Sequence, residues 1–297
     1  MNMNEFSQKV CRAVKEELGE KYSVELKEVR KNNGVLLHGL LISSGNQNVV
    51  PTIYLEHFFR AYEEGMTFAE VLRRLLEVYG KDVPARSVDM DFFRDFDRVR
   101  ERICYRLVGQ AGNEELLKDV PHVEFLDMAV CFFYAYKGKE LGEGSILIHN
   151  SHMKMWNCSV TDLMGLAKQN TPALFPWQCC TMEEVIRDML DREHQDKLLA
   201  EEVPMKVLSN RQRMNGAVCL IYPDVLERLA EEYETDLYIL PSSIHETILL
   251  ADSGREKPGE LKAMIVQVNR TQVAPEEVLT DSLYRYDRRK KRVEVIL

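Results

Sequence analysis

The sequence predicts an α+β fold. Segments with the period of amphipathic helices and segments rich in β-branched and aromatic residues occur in both halves of the chain. They do not follow the strict strand–helix–strand alternation of a doubly wound sheet, so we expect mixed or antiparallel sheets with helices packed on them. With 297 residues, of which 45% are hydrophobic, the chain is long enough for one large domain or two.

The segment before Pro84 predicts a helix, a small meander and a helical block. Phe6, Val10 and Val14 recur at helical spacing, which predicts an amphipathic amino-terminal helix. Thr67 and Glu70 have capping-box spacing at the start of another apolar helical pattern. In chain order we expect a helix up to residue 18, strands at 22–30, 35–42 and 49–55, and helices at 56–64 and from 67 until Pro84.

The middle of the chain predicts a charged surface and then a boundary. Arginines alternate with acidic residues over 92–108, which favours a solvated segment with ion pairs inside the chain. The stretch 109–121 contains Gly109, Gly112 and Asn113 and is the candidate boundary. We therefore expect an amino-terminal part, 1–110, and a larger α+β part, 120–297, with a single domain as the alternative.

The second half predicts alternating groups of strands and helices. Residues 128–136 form the longest apolar run, which at nine residues is too short to span a bilayer and predicts a buried strand. We expect strands at 123–136, 145–149, 205–208, 217–222, 237–240 and 244–250, helices at 161–169, 182–192, 223–232 and 260–269, and a closing hairpin of 282–286 with 292–296.

Two hexapeptides resemble each other. Residues 129–134 (AVCFFY) and 217–222 (AVCLIY) agree at four of six positions. A duplicated unit is one interpretation. The simpler one is that two buried strands use the same few apolar residue types.

Charge and cysteine usage indicate the class of protein and its compartment. The chain has 39 basic and 48 acidic residues, which counts against a protein whose main role is to bind phosphate backbones. Charges interrupt the amino-terminal helix too often for a secretion signal. Seven cysteines without a disulfide framework fit reduced thiols. We therefore expect a cytoplasmic protein without a membrane segment.

Four strings of the sequence resemble an uncharacterised family common in anaerobic gut Firmicutes. They are LPSSIHE (240–246), NGAV (215–218), VLTDSLYRYD (278–287), and NTP from Asn170 with Ser151, His152 and Trp156 before it. The resemblance covers nearly the whole chain and implies a bacterial, cytoplasmic protein from an accessory gene pool. The family is a domain of unknown function, so the resemblance supplies no catalytic residues.

Cys180 is the most enzyme-like position in the sequence. Thr181 and Glu184 have capping-box spacing, which places Cys180 just before a helix start, where a thiolate is favoured. A cysteine hydrolase also requires a histidine within hydrogen-bonding reach. The candidate partners are His149, His152 and His245, with Glu246 as a neighbouring carboxylate. Two half-buried structural cysteines are the alternative interpretation.

Metal and phosphate sites are less well supported. His149, His152, Cys158 and Cys179 are zinc-capable residues, but they lack the paired short spacings of zinc sites. The glycines of 138–144 lie between two predicted strands and favour a hairpin turn over a nucleotide loop. We therefore predict neither a metal nor a cofactor.

The carboxy-terminal hairpin carries the strongest positive cluster. Such a cluster can hold a few phosphates, although charged hairpin tips more often serve solubility and protect a sheet edge. Its basic residues are Arg285, Arg288, Arg289, Lys290, Lys291 and Arg292. Contact with nucleic acid is the weaker alternative.

No set of motifs converges on one reaction. We therefore expect a non-catalytic accessory module that contacts an unidentified protein partner, with a hydrolase using Cys180 as the alternative. The oligomeric state is left open. A deep pocket lined by ionisable groups with perturbed pKa values would argue against the non-catalytic module.

Overall fold

The α+β class is confirmed by a computed structural model that describes residues 1–44, 50–82, 91–138, 142–189, 205–241 and 243–297. The helices are α1 Met3–Leu18, α2 Glu56–Glu63, α3 Phe68–Asp82, α4 Phe96–Val99, α5 Glu114–Asp119, α6 Asn150–Trp156, α7 Val160–Leu174, α8 Met182–Met189, α9 Val225–Glu232 and α10 Pro258–Thr271. The strands are β1 Ser23–Arg30, β2 Leu36–Ser43, β3 Thr52–Tyr54, β4 Ile103–Gly109, β5 His122–Phe125, β6 Met128–Gly138, β7 Gly142–Leu147, β8 Trp177–Thr181, β9 Met205–Asn210, β10 Leu237–Leu240, β11 Thr247–Ala251, β12 Tyr284–Asp287 and β13 Arg292–Val295.

The chain divides into two compact units. The first comprises residues 1–94 and 136–144, and the second comprises 95–135 and 145–297. The segment 109–121, which the sequence marks as a candidate boundary, lies inside the second unit. Independent folding of an amino-terminal and a carboxy-terminal domain stays a prediction. Pro84 lies outside the described residues.

The first unit is a three-stranded antiparallel meander with helices on one face, as the sequence predicts. The sheet has the order β1-β2-β3. Helix α1 buries Phe6, Val10 and Val14 in a core shared with α2 and α3. At the start of α3, the predicted capping box forms, because the N–H and hydroxyl of Thr67 both donate to Glu70.

A four-stranded sheet begins the second unit. Strand β6 pairs with β4, β5 and β7. Alternation places Tyr105 and Val130 on one face and Cys104 and Cys131 on the other. All four side chains are buried, and the two cysteines belong to apolar clusters on their face of the sheet.

The prediction of a solvated segment over 92–108 is wrong for its carboxy-terminal part. Ile103 starts a strand whose residues are almost all buried, with Arg106 the one charged residue inside it. The alternating charges end at Arg102, and the apolar pattern beyond them determines burial. The expected intrachain pairing does occur before the strand, between Arg100 and Asp97 at 3.4 Å.

The second sheet has six antiparallel strands in the order β13-β12-β10-β11-β9-β8. The predicted carboxy-terminal hairpin is confirmed as β12 and β13, with Tyr284 level with Val295. Helix α10 packs Leu261 and Ile265 against one face of this sheet.

The strand predicted at 217–222 is wrong. Residues Gly216–Ile221 form a short 3₁₀ helix, entered through Asn215 in the left-handed region at φ 52°. A Cβ on Gly216 would lie 2.1 Å from Ser209 Oγ and 2.4 Å from the carbonyl oxygen of His245, so the chain turns where only glycine fits. Periodicity does not separate short buried helices from strands. The similar hexapeptides therefore occupy different elements, one in β6 and one in the 3₁₀ helix.

Candidate ligand-binding cavity

The second unit contains a cavity of about 520 Å³ whose floor is one face of the four-stranded sheet. Val123 on β5 is level with Val130 on β6, and Phe125 follows on the same face of β5. Tyr105 on β4 lies on the same face, because it is level with Phe132 on β6. Strand pairing therefore brings side chains from three separate segments to one surface.

Four further elements form the walls of the cavity. Helix α7 contributes Met164 and Lys168. The 3₁₀ helix and the start of α9 contribute apolar residues such as Leu220 and Leu226, and the β12–β13 hairpin contributes Tyr286. The volume lies within the range of small-molecule sites, which are concave and mostly apolar with a few polar groups.

Tyr105 is a lining residue of the cavity that is almost fully buried. It is 1% exposed, and its backbone N–H donates to Thr171 Oγ1 at 3.1 Å, which fixes β4 to α7. Its hydroxyl has no hydrogen-bond partner within the described residues. Burial raises the pKa of Tyr105, so the hydroxyl stays protonated and can donate.

Tyr222 lies beside Tyr105, with ring centroids 6.2 Å apart. In contrast to Tyr105, its hydroxyl donates to the carbonyl oxygen of Phe175 at 3.0 Å. Burial also raises the pKa of Tyr222, and it raises those of the thiols of Cys104 and Cys219 to about 12. This inner region is therefore uncharged at neutral pH.

The charged residues of the cavity lie at its rim, where positive and negative side chains balance. Lys291 forms an ion pair with Glu227 on α9. Arg292 Nη2 lies 2.6 Å from Glu294. The remaining charged lining residues are exposed and have no ion pair within the described part of the chain: Lys168, Glu124 and Asp224.

Cys180 lies in β8, on a different sheet from the cavity floor. The predicted capping box at its carboxy-terminal side is confirmed, because Thr181 N–H donates to Glu184 Oε2 at 2.8 Å. Cys180 is level with Val207 on β9, which is level with Ile248 on β11. The neighbouring Cys179 is a poor nucleophile, since burial raises the pKa of its thiol to about 11.

The strand register separates Cys180 from His245. Two strand spacings, about 10 Å, lie between β8 and β11, and His245 lies in the turn that precedes β11. The hydrolase hypothesis therefore gains no support from this pair.

His245 and the strings that carry the family resemblance form a structural junction. His245 Nδ1 accepts from Asn215 N–H at 3.2 Å, and its Nε2 lies 3.5 Å from Glu277. Ser243 Oγ accepts from the N–H groups of His245 and Glu246, which turns the chain into β11. The string around 215 thus packs against the string around 245.

One family model matches nearly the whole chain. The model of a family of unknown function, DUF5688, matches residues 3–288. The chain belongs to DUF5688. No curated protein and no solved structure matches the chain.

In this DUF5688 protein, His149 and His152 are brought together at the start of α6. His149 Nδ1 lies 2.7 Å from Asp119 Oδ2, and the N–H of His149 donates to His152 Nδ1 at 3.0 Å. Burial and the nearby His149 lower the pKa of His152. The contacts join α5 to α6. Within the described residues, no group of three His, Cys, Asp or Glu side chains is arranged to hold a metal ion.

Ion pairs within the chain occupy most of the basic cluster. Arg285 lies 2.9 Å from Asp236 and 2.7 Å from Asp252. The other pairs join Lys290 to Asp287 and Glu294, Lys291 to Glu227, and Arg292 to Glu294. Arg288 and Arg289 have no ion pair within the described residues. Contact with nucleic acid stays a prediction, and it now rests on these two arginines.

The helices described for this DUF5688 chain include none long and apolar enough to cross a membrane. Sequence reasoning missed the cavity residues altogether. Alternation in 103–109 and 123–130 was the available signal, since it shows which residues share a face within each strand. It does not show which strands pair.

Proposed function

We propose that this protein binds a small organic molecule in the cavity of its second unit. The observation that carries the proposal is a cavity of about 520 Å³ with an apolar floor and inner wall and with charged side chains at its rim. Sites for small molecules are typically concave, mostly apolar and of this volume, with a small number of polar groups.

Ligand binding also fits the lining better than an accessory module without a ligand site. The cavity is lined by Tyr105 and Tyr222, whose pKa values are strongly raised by burial. Perturbed groups in a cleft are typical of functional sites. A cytoplasmic location and an unidentified protein partner, both expected from the sequence, remain part of the proposal, because ligand binding is compatible with either.

The test is a binding titration with the neutral fluorophore Prodan, comparing the wild-type chain with Val123→Trp. Val123 lines the cavity on the exposed side of β5, so a bulky ring there fills the cavity without entering the core. The matched control is Val295→Trp, another exposed valine on an edge strand that does not line the cavity.

We expect saturable binding of one Prodan per chain in the wild type and in Val295→Trp, with at least a tenfold loss in Val123→Trp. Equal binding by all three proteins, or no saturable binding by the wild type, would contradict the proposal.

A further inference from the structure

We propose that Arg106 binds the carboxylate of a small organic acid, at a second site on the face of the four-stranded sheet opposite the cavity. Alternation along β4 directs Tyr105 to the cavity and Arg106 to the other face. Arg106 does not line the cavity, so this site goes beyond the proposed function.

Arg106 is a charged residue in the middle of a buried strand. Cys104 and Val108 share its face of β4 and are buried, and Arg106 is level with the buried Cys131 on β6. Burial lowers the pKa of Arg106, because these surroundings disfavour a charge. An arginine side chain nevertheless keeps its proton in a folded protein. Strand β4 therefore holds a positive charge among apolar side chains.

The guanidinium of Arg106 has no counter-charge in the part of the chain that the structure describes. It makes neither an ion pair nor a hydrogen bond within those residues, and its Nε is enclosed. The acidic residues of α5, which packs on this face, have other partners: Glu114 accepts from Gly112 N–H at 3.1 Å, Glu115 pairs with Lys118 at 2.6 Å, and Asp119 pairs with His149 at 2.7 Å. Because a buried charge without a partner is costly, a bound anion is the natural complement.

The end of the guanidinium is open to an incoming group. Arg106 as a whole is partly exposed. Of its three guanidinium nitrogens, only Nε is enclosed without a hydrogen bond, so the accessible end is the one that carries Nη1 and Nη2. Two parallel N–H groups of an arginine match the two oxygens of a carboxylate.

Two apolar clusters flank Arg106 on this face. One contains Val108 and packs against Leu117 of α5, and the other contains Cys104 and packs against Phe175. Arg106 lies between Cys104 and Val108 along β4. A carboxylate held by the guanidinium therefore has apolar groups on both sides, which favours an acid with a short hydrocarbon part.

The charge of the site favours a carboxylate over a phosphate. The guanidinium balances one negative charge, and the thiol of Cys131 beside it is neutral, since burial raises its pKa to about 11. A phosphate group carries about 1.5 to 2 negative charges at neutral pH. Part of that charge would stay uncompensated among apolar side chains, which is costly.

The test follows thermal unfolding of the full chain at pH 7 in increasing sodium propionate, with sodium chloride at equal ionic strength as the reference. Propionamide has the same shape without the charge, and inorganic phosphate is the second anion. Arg106→Met removes the charge and keeps a side chain that fills apolar space. The matched control is Arg98→Met, because Arg98 is an exposed arginine of the same unit without an ion pair in the described residues.

We expect propionate to raise the unfolding temperature saturably in the wild type and in Arg98→Met, because a ligand that binds the folded chain stabilises it. Arg106→Met should weaken propionate by about tenfold or more, which is the effect of losing a charged hydrogen-bonding group. Arg106→Lys keeps the charge but not the paired N–H groups, so it should weaken propionate by about threefold or more. Propionamide should have no effect, and phosphate should bind more weakly than propionate.

The unfolding temperature in chloride alone is the second measurement. Arg106→Met replaces an uncompensated charge with an apolar side chain, so it should be at least as stable as Arg98→Met. Lower stability of Arg106→Met would show that the chain itself supplies a counter-charge, and it would overturn the proposal.

Three further results would overturn it. They are an equal propionate effect in the wild type and Arg106→Met, an equal effect of propionate and propionamide on the wild type, and tighter binding of phosphate than of propionate. Val123→Trp, which fills the cavity, should bind propionate like the wild type. Loss of propionate binding in that variant would assign the acid to the cavity instead of Arg106.

Discussion

Tyr105 and Tyr284 are two fully buried tyrosines of the same unit, with exposed fractions of 1% and 0%. Burial raises the pKa of both. They differ in what their hydroxyls contact. The hydroxyl of Tyr284 donates to Asp127, whereas that of Tyr105 is buried and has no partner within the described residues.

The surroundings of Tyr284 show what a satisfied hydroxyl does in this fold. Asp127 lies in the two-residue turn between β5 and β6 and also accepts from Thr280 Oγ1 and Ser282 Oγ, each at 2.8 Å. Three hydroxyls from one segment thus meet a single carboxylate more than 150 residues away, which fixes the carboxy-terminal hairpin to the four-stranded sheet. Tyr284 therefore serves stability, whereas the Tyr105 hydroxyl makes no comparable hydrogen bond within the described residues.

The largest expected effect comes from Asp127→Ala. The change removes the acceptor of three hydroxyls and leaves the buried Tyr284 hydroxyl with only the long contact to Thr280 Oγ1 at 3.4 Å, so we expect a loss of about 3 kcal/mol in the free energy of unfolding. Urea denaturation measures it. Asp97→Ala, at an exposed carboxylate paired with Arg100, is the control and should change stability little. An equal loss of unfolding free energy in the two variants would show that Asp127 contributes no more to stability than an exposed carboxylate does.

Tyr284→Phe should have the next largest effect. The ring and its packing remain, while a hydrogen bond to a charged acceptor is lost, for which we expect about 2 kcal/mol of destabilisation. The same urea titration applies. A Tyr284→Phe protein as stable as the wild type would show that the network around Asp127 contributes no stability.

The contribution of Asp127 should depend on pH. Burial alone would raise its pKa, but hydrogen bonds from Tyr284, Ser282 and Thr280 outweigh burial and lower it. A carboxyl group whose pKa is lower in the folded state stabilises at neutral pH, and this contribution is lost as the pH falls through the folded-state pKa. The stability difference between wild type and Asp127→Ala should therefore be constant above about pH 5 and shrink as the pH falls below about 4. A difference that does not shrink at low pH would contradict this assignment.

The smallest expected effect on stability comes from Tyr105→Phe. Removing a hydroxyl that has no partner leaves no other group unpaired, so the free energy of unfolding should stay within about 1 kcal/mol of the wild type or increase. Calorimetry and urea titration without ligand measure this change. Destabilisation as large as that of Tyr284→Phe would show that the Tyr105 hydroxyl has a structural partner, and the contrast between the two tyrosines would disappear.

Much of the local structure could be predicted from the sequence. The amphipathic face of Phe6 and Val10, the cap formed by Thr67 and Glu70, and the carboxy-terminal hairpin all follow from patterns within a few residues of each other. Such patterns reflect helical and strand periods and hydrogen bonds near in sequence, which local sequence contains. The buried strand at β6 follows from its apolar run in the same way.

The candidate site depended on contacts between distant segments. Tyr105 reaches the cavity because β4 pairs with β6 and its N–H donates to Thr171, 66 residues later. Cys180 is held two strands away from His245 by the same kind of pairing. The 3₁₀ helix replaces a predicted strand because Gly216 packs against Ser209 and the backbone of His245.

The sequence by itself determined the α+β class, most of the helices and strands, and the membership in a family whose strings it carries. Only the tertiary structure decided which side chains share a cavity and which hydroxyl has a partner. The physical reason is that local periodicity assigns a side chain to a face of its own element. Register, strand order and burial of a polar group depend on packing between residues far apart in the chain.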